Sequence, residues 1–139
     1  MVRGVRIGAA GARERFAGER VARLATADAQ GVPHLVPVTF AVRGDVIVFA
    51  VDHKPKRSND LRRLRNIAAN PAVSLLADGY DEDWTRLWWV RADGFAAVTA
   101  HREEPVEWLC AKYQQYADRP PEGPVVRVTV TAWRGWAWR

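Results

Sequence analysis

Between Val21 and Val51 three strand-like runs are separated by breaks of only a few residues. Val21–Ala27 alternates apolar and other side chains, and Asp28-Ala-Gln-Gly31 reads as a turn in which Gly31 is free to take positive φ. His34–Val42 is the second run, Arg43-Gly44-Asp45 a tight hairpin, and Val46–Val51 a short, wholly apolar third. Parallel neighbours need a crossover of roughly a dozen residues or more, so breaks this short oblige the runs to pair antiparallel. Pro37 cannot donate to a ladder, which predicts an edge position or a bulge there.

The rest of the chain repeats that grammar. Val73–Ala77, Leu87–Ala100 and Val125–Trp133 read as strands, and Gly94 marks a predicted bulge in the second of these. Helices are predicted over Ala9–Gly18, after Ser58 or Asn59 as cap, and over Glu103–Tyr116. In the middle helix Leu61, Leu64, Ile67 and Ala68 share one face, Arg62, Arg63 and Arg65 fall largely off it, and Asn70-Pro71 ends it. The last helix places Val106, Leu109, Cys110 and Tyr113 on one side. The fold class is therefore mainly β, a six-stranded, mostly antiparallel barrel with helical decoration. Residues 1–11 are expected to form a flexible lead and 12–139 a single domain.

Composition closes several doors. With 48% hydrophobic and 27% charged residues, the 139-residue chain has the balance of a globular domain, not of a disordered one. The longest stretch without Asp, Glu, Lys or Arg, Ala29–Val42, is fourteen residues and holds two prolines, so no transmembrane helix and no membrane partner are expected. No apolar signal region is visible near the start, and Cys110 stands alone, which excludes an intramolecular disulfide and a Cys-based zinc site. Cytoplasmic localisation is the resulting expectation. The fourteen aromatics, seven of them Trp, are many for a small barrel. Trp88 and Trp89 adjoin on a strand and must point to opposite faces, so a subunit interface or a ring-binding cleft competes with ordinary core filling.

The formal charge of +5 is concentrated. Lys54, Lys56, Arg57, Arg62, Arg63 and Arg65, set against Asp60 alone, account for all of it within twelve residues. No glycine-rich phosphate fingerprint, nucleophile elbow or metal-ligand spacing appears, and His34, His53 and His101 are scattered singles. No metal and no catalytic residue is assigned, so any enzymatic chemistry should come from a bound cofactor. Lys54-Pro-Lys-Arg-Ser58 lies between a strand end and a helix N-terminus, where free N–H groups and the positive end of the dipole favour an anion. The window is compact and contains no aromatic, which suits the phosphate of a discrete ligand and argues against nucleic acid.

Several runs resemble the pyridoxamine-phosphate-oxidase-like split-barrel family. They are Val21–His34 with Pro37-Val38, Phe49–Arg57, Leu61–Asn66, Asn70-Pro71 and Tyr80–Trp84 through Leu87–Val90. Lys112-Tyr113, Pro120-Pro121 and Trp133–Trp136 are similar to an actinobacterial subgroup that uses the deazaflavin coenzyme F420. The resemblance, over roughly residues 12 to 139, implies a six-stranded split β-barrel and a homodimer with two cofactor sites between subunits. It implies that Lys54, Lys56 and Arg57, with Ser58, hold the cofactor phosphate, and that His34, Val36, Pro37 and Val38 lie along the ring system. The activity implied is hydride transfer between reduced F420 and a small organic acceptor. The alternatives are an FMN-dependent oxidoreductase on the same fold, or a non-catalytic flavin or deazaflavin carrier.

Overall fold

The computed structural model describes residues 3–51 and 58–138. The elements, in chain order, are β1 (Gly4–Ile7), α1 (Ala9–Ala17), β2 (Ala22–Ala27), β3 (Pro33–Val38), β4 (Ala41–Arg43), β5 (Val46–Ala50), α2 (Ser58–Ala69), β6 (Ala72–Gly79), β7 (Trp88–Val98), α3 (Glu103–Lys112), α4 (Gln114–Asp118) and β8 (Val125–Trp138). The strands form one antiparallel sheet in the order β3-β2-β6-β7-β8-β5-β4, with β1 added on β8. The class is the one expected, a mainly β split barrel, but with eight strands among the described residues in place of six.

Both extra strands have identifiable causes. The run expected over 34–42 breaks at Thr39–Phe40, so that β3 pairs with β2 while β4 pairs with β5. The backbone of Phe40 leaves the ladder because the Tyr113 hydroxyl occupies it: the Phe40 N–H donates to it at 3.0 Å. The phenol's own proton lies within reach of Phe40 O at 3.0 Å and Arg20 O at 2.9 Å. Backbone groups this deep must be satisfied somewhere, and here one side chain does it. The same contact divides the helix expected over Glu103–Tyr116, since Tyr113 is extended (φ −117°, ψ 122°) and separates α3 from α4. The other extra strand lies in the expected lead, where Gly4–Ile7 pairs with Gly135–Trp138.

β8 is the spine. It pairs with β7 along nearly its whole length, with β5 over Val125–Thr129 and with β1 over Gly135–Trp138. The β7–β8 register shifts between Asp93 and Gly94, and the additional residue is Thr131 on β8. Gly94 is therefore at the expected place but on the unbulged strand, because a Cβ there would sit 2.2 Å from Thr129 O. Asp45, from the β4–β5 hairpin, ties this region down. Its backbone carbonyl accepts from Val130 N at 2.8 Å, and its Oδ1 accepts from Trp133 Nε1 at 2.9 Å and Arg13 at 3.0 Å. Those two donors, Trp133 first, hold the Asp45 carboxyl below its ordinary pKa.

Two cores result. The barrel interior is filled by Phe16, Leu24, Phe40, Ile47, Phe49 and Leu75, with Phe16 and Phe40 in ring contact at 4.7 Å. Outside, α3 lays Leu109 on Ala41, Val48, Ala50 and Val125, so that β5 is covered on both faces and reads as continuously apolar. In α2, Ile67 is buried as expected, but Ala68 is exposed and Asn66 is buried in its place.

Tyr113→Phe keeps the ring and removes only the hydroxyl. It is expected to lower unfolding stability by about 1–3 kcal/mol, the cost of leaving buried backbone groups unpaired. Urea denaturation monitored by tryptophan fluorescence measures this, and a midpoint within error of wild type would contradict the assigned role.

Candidate functional site

β3 is an edge strand, as Pro37 requires. Its alternation turns His34, Val36 and Val38 to the interior face, whereas Leu35 and Pro37 are exposed on the other. Of the residues expected along a cofactor ring, three therefore share one side and Pro37 does not. Lys54, Lys56 and Arg57 lie outside the described residues. Ser58 opens α2, so the positive end of that helix dipole adjoins the Lys54–Arg57 segment in sequence.

α2 is anchored beside β3 by a buried polar contact. Asn66 Nδ2 donates to Thr26 Oγ1 at 3.1 Å, and Thr26 stands directly opposite His34 in the β2–β3 register. Both side chains are 4% exposed, so each is the other's substitute for water. Arg62 and Arg63, one turn before Asn66, bring positive charge to His34. Burial first, then Arg62 and Arg63, lower the His34 pKa from 6.5. The imidazole is consequently neutral at pH 7, with one N–H and one bare nitrogen. Its Nδ1 is shielded from solvent and has no hydrogen-bond partner among the described residues. Positive charge and an unused polar atom together suit an anionic or hydrogen-bonding ligand group.

The role of three of these contributors was not legible in the sequence. Arg62 and Arg63 fell off the apolar face of their helix with nothing to tie them to His34, and Asn66 carried no signal of its own. Their spacing of four and three residues was the available clue, since it places all three on neighbouring positions of the helix. A second recess, about 400 Å³, lies at the other run singled out from the sequence and is lined by Tyr80, Asp81, Arg86, Trp88 and Trp138. Arg15 stacks 4.2 Å above the Trp88 ring. Asp83 is structural there, accepting from Thr85 N at 3.1 Å and Thr85 Oγ1 at 2.7 Å to cap the short turn Trp84–Arg86. Trp89 points to the opposite face of β7, where Arg91 lies 5.6 Å from its ring. No group of three or more His, Cys, Asp or Glu capable of holding a metal occurs among the described residues. None of their helices is long and apolar enough to cross a membrane.

Residues 10–137 match the family model of pyridoxamine 5′-phosphate oxidase. Solved structures share the fold at low identity. An FAD-binding protein from Mesorhizobium loti superposes with a TM-score of 0.78 at 17% identity, over 100% of this chain and 99% of that one. The FAD-binding protein of Mycobacterium smegmatis gives 0.65 at 20% identity, over 94% and 96%. HutZ, a heme storage protein from Vibrio cholerae, gives 0.65 at 19% identity, over 84% and 86%. No curated protein sequence matches the chain.

The neutral His34 yields a sign. A lowered pKa means that the folded chain resists a proton the unfolded chain accepts, so this group costs stability as pH falls below 6.5. In an NMR titration of the His34 ring protons, the midpoint is expected below 6.5 and to rise in Arg62→Ala. A midpoint at or above 6.5 in the wild-type protein would remove the cationic corner.

Proposed function

The chain belongs to the pyridoxamine 5′-phosphate oxidase family, and from that membership we propose that it is an oxidoreductase that uses coenzyme F420 to transfer a hydride to a small organic acceptor. The observation that carries the reading is the corner formed by His34, Arg62 and Arg63 beside the helix that opens at Ser58. It fits an anionic cofactor, since Arg62 and Arg63 bring positive charge to it and His34 Nδ1 has no hydrogen-bond partner among the described residues. The choice of deazaflavin rests on the sequence runs given above, Lys112-Tyr113 and Trp133–Trp136 among them.

In this reading Lys54, Lys56 and Arg57, with the Ser58 hydroxyl and the α2 N-terminus, hold the cofactor phosphate. His34, Val36 and Val38 border the ring system, with Pro37 at the strand edge. When bound, the reduced deazaflavin supplies a hydride. The protein's part is to position the acceptor and exclude water, with Val36 and Val38 as the apolar side of the site. His34 is neutral at pH 7 and orients a partner by hydrogen bonding; no residue is assigned as proton donor. FMN is the second reading, carried over from the family resemblance, and the FAD-binding proteins of similar fold support a flavin in general.

Assembly belongs to the same proposal. The outer sheet face exposes Leu35 at 67% and Phe95 at 55%, with Leu76 and Trp89 half-buried on the same face around the Arg91–Asp93 ion pair. A face that mixes exposed apolar side chains with fixed charges suits a second copy of the chain, which would enclose the cofactor between subunits. Sedimentation at micromolar concentration is expected to give a dimer, and a monomer would exclude the shared cleft.

Parallel titrations with F420 and FMN, read by tryptophan quenching, test the cofactor. Tighter FMN binding would select the second reading, and F420 binding without turnover of any acceptor would make the protein a carrier. Lys56→Ala is expected to weaken F420 binding roughly five- to hundred-fold, the range for a lost hydrogen bond to a charged group. Arg65→Ala, on the exposed side of α2, is the control and should leave affinity within about twofold. Equal effects of the two changes would sink the phosphate-clamp assignment.

A further inference from the structure

A cavity of about 400 Å³ opens where the end of α1, β4 and the end of α3 meet. Arg20, Arg43 and Lys112 line it together with Ala17, Gly18, Val42 and Ala111, and no acidic side chain among the described residues does. We propose that this cavity is a second binding site, for a small oxyanion of the carboxylate or phosphate class, held by Arg20, Arg43 and Lys112.

Charge is the first support. None of the three cations is in an ion pair among the described residues, whose salt bridges involve Arg13, Arg86, Arg91 and Arg134. The second is an orphaned donor. Lys112 Nζ is shielded from solvent and lacks any hydrogen-bond partner among the described residues. It rests 3.7 Å from the Phe40 ring centroid and 5.3 Å from that of Tyr113. Ring faces attract an ammonium, but they do not supply the oxygen acceptors that its three N–H groups seek.

The third support is a wall already locked in place. Arg20 Nη1 donates to Lys112 O at 2.8 Å, and the Tyr113 hydroxyl engages Arg20 O. Arg43 donates through Nη1 to Val42 O at 2.9 Å, with its guanidinium 5.6 Å from the Trp108 ring. Among the described residues each guanidinium makes only this one hydrogen bond, so N–H groups remain for a ligand. The groups around Lys112 agree. Burial first, then Arg20, with Arg43 adding to it and Glu19 opposing, bring its pKa down to about 8. Tyr113 stays a neutral phenol, its pKa raised by burial, and the Tyr116 hydroxyl is engaged with Thr39 at 2.9 Å. A bound anion would relieve this repulsion and raise the Lys112 pKa again.

The test reads the site directly. Lys54, Lys56 and Lys112 are the chain's lysines, so ¹³Cε resonances of labelled protein are few, and Lys112→Arg assigns the one that matters. Sodium phosphate and sodium acetate are titrated separately at pH 8, with chloride holding ionic strength constant. A saturable shift of the Lys112 resonance is expected, with its titration midpoint moving from about 8 toward 10.5. Response to phosphate alone assigns a phosphate ligand, and response to acetate alone assigns a carboxylate. Arg43→Ala, at an exposed position, is expected to weaken binding about tenfold or more, the loss of a charge-assisted contact. A Lys112 resonance unmoved by either anion, or moved equally in Arg43→Ala, overturns the proposal. Binding at the cofactor site would move Lys54 and Lys56, so the two sites are read independently.

Discussion

The barrel depends on one phenol. Thr39 and Phe40 are the crossing between the two ends of the sheet path, since β3 lies at one end and β4 at the other. A strand that changes partners must abandon its ladder for a residue or two, and each abandoned N–H or C=O needs a new partner. Tyr113 meets that need from outside the sheet, while the Phe40 ring turns inward against Phe16. The same side chain also ends α3 and touches the backbone at Arg20. One hydroxyl thus joins the interior core to the smaller core beneath α3, beside the Lys112 contact with the Phe40 ring.

The bulge at Thr131 has a parallel logic. β8 must serve β7 on one side and both β5 and β1 on the other, and fourteen residues of regular strand would carry its inward positions out of phase along that length. One extra residue resets the alternation, so that Val126, Val128 and Val130 face the interior before the bulge and Trp133 packs against it after. Asp45 bridges the gap left between β5 and β1 on that side, bonding Val130, Trp133 and Arg13 at once. Regularity is lost locally and the three-way junction is gained.

These two devices also explain what could be read from sequence and what could not. Alternation, turn residues and Pro37 are local signals, and they located β2, β5, β6 and the edge position of β3. Gly94 marked the bulge because a glycine is needed wherever backbones crowd, although nothing local says which strand holds the extra residue. The break at Phe40 depends on a side chain 73 residues away, and β1 depends on a partner at the other end of the chain, so neither has a local signature. At the site, the +5 window announced an anion, yet its meeting with His34 follows from Asn66 reaching Thr26 across forty residues. Lys112 entered only through the Lys112-Tyr113 run of the family resemblance, and nothing local placed it against a ring. Its burial against Phe40 follows from the same crossing that Tyr113 holds.

The position of β8 has a consequence for how the protein comes into being. It is the last of these strands to be synthesised, and β7, β5 and β1 all take it as a hydrogen-bonding neighbour. Until it emerges, β5 has only the three-residue β4 beside it, and β1 has no partner at all. Hydrophobic strands such as Val46–Ala50 are then open-edged for as long as the ribosome takes to reach Trp138. Assembly must wait for β8 to emerge and then close over long sequence separations, a slow class of search. The chain is most vulnerable to edge-to-edge association in that interval, which makes chaperone supply and growth temperature the natural levers on its soluble yield.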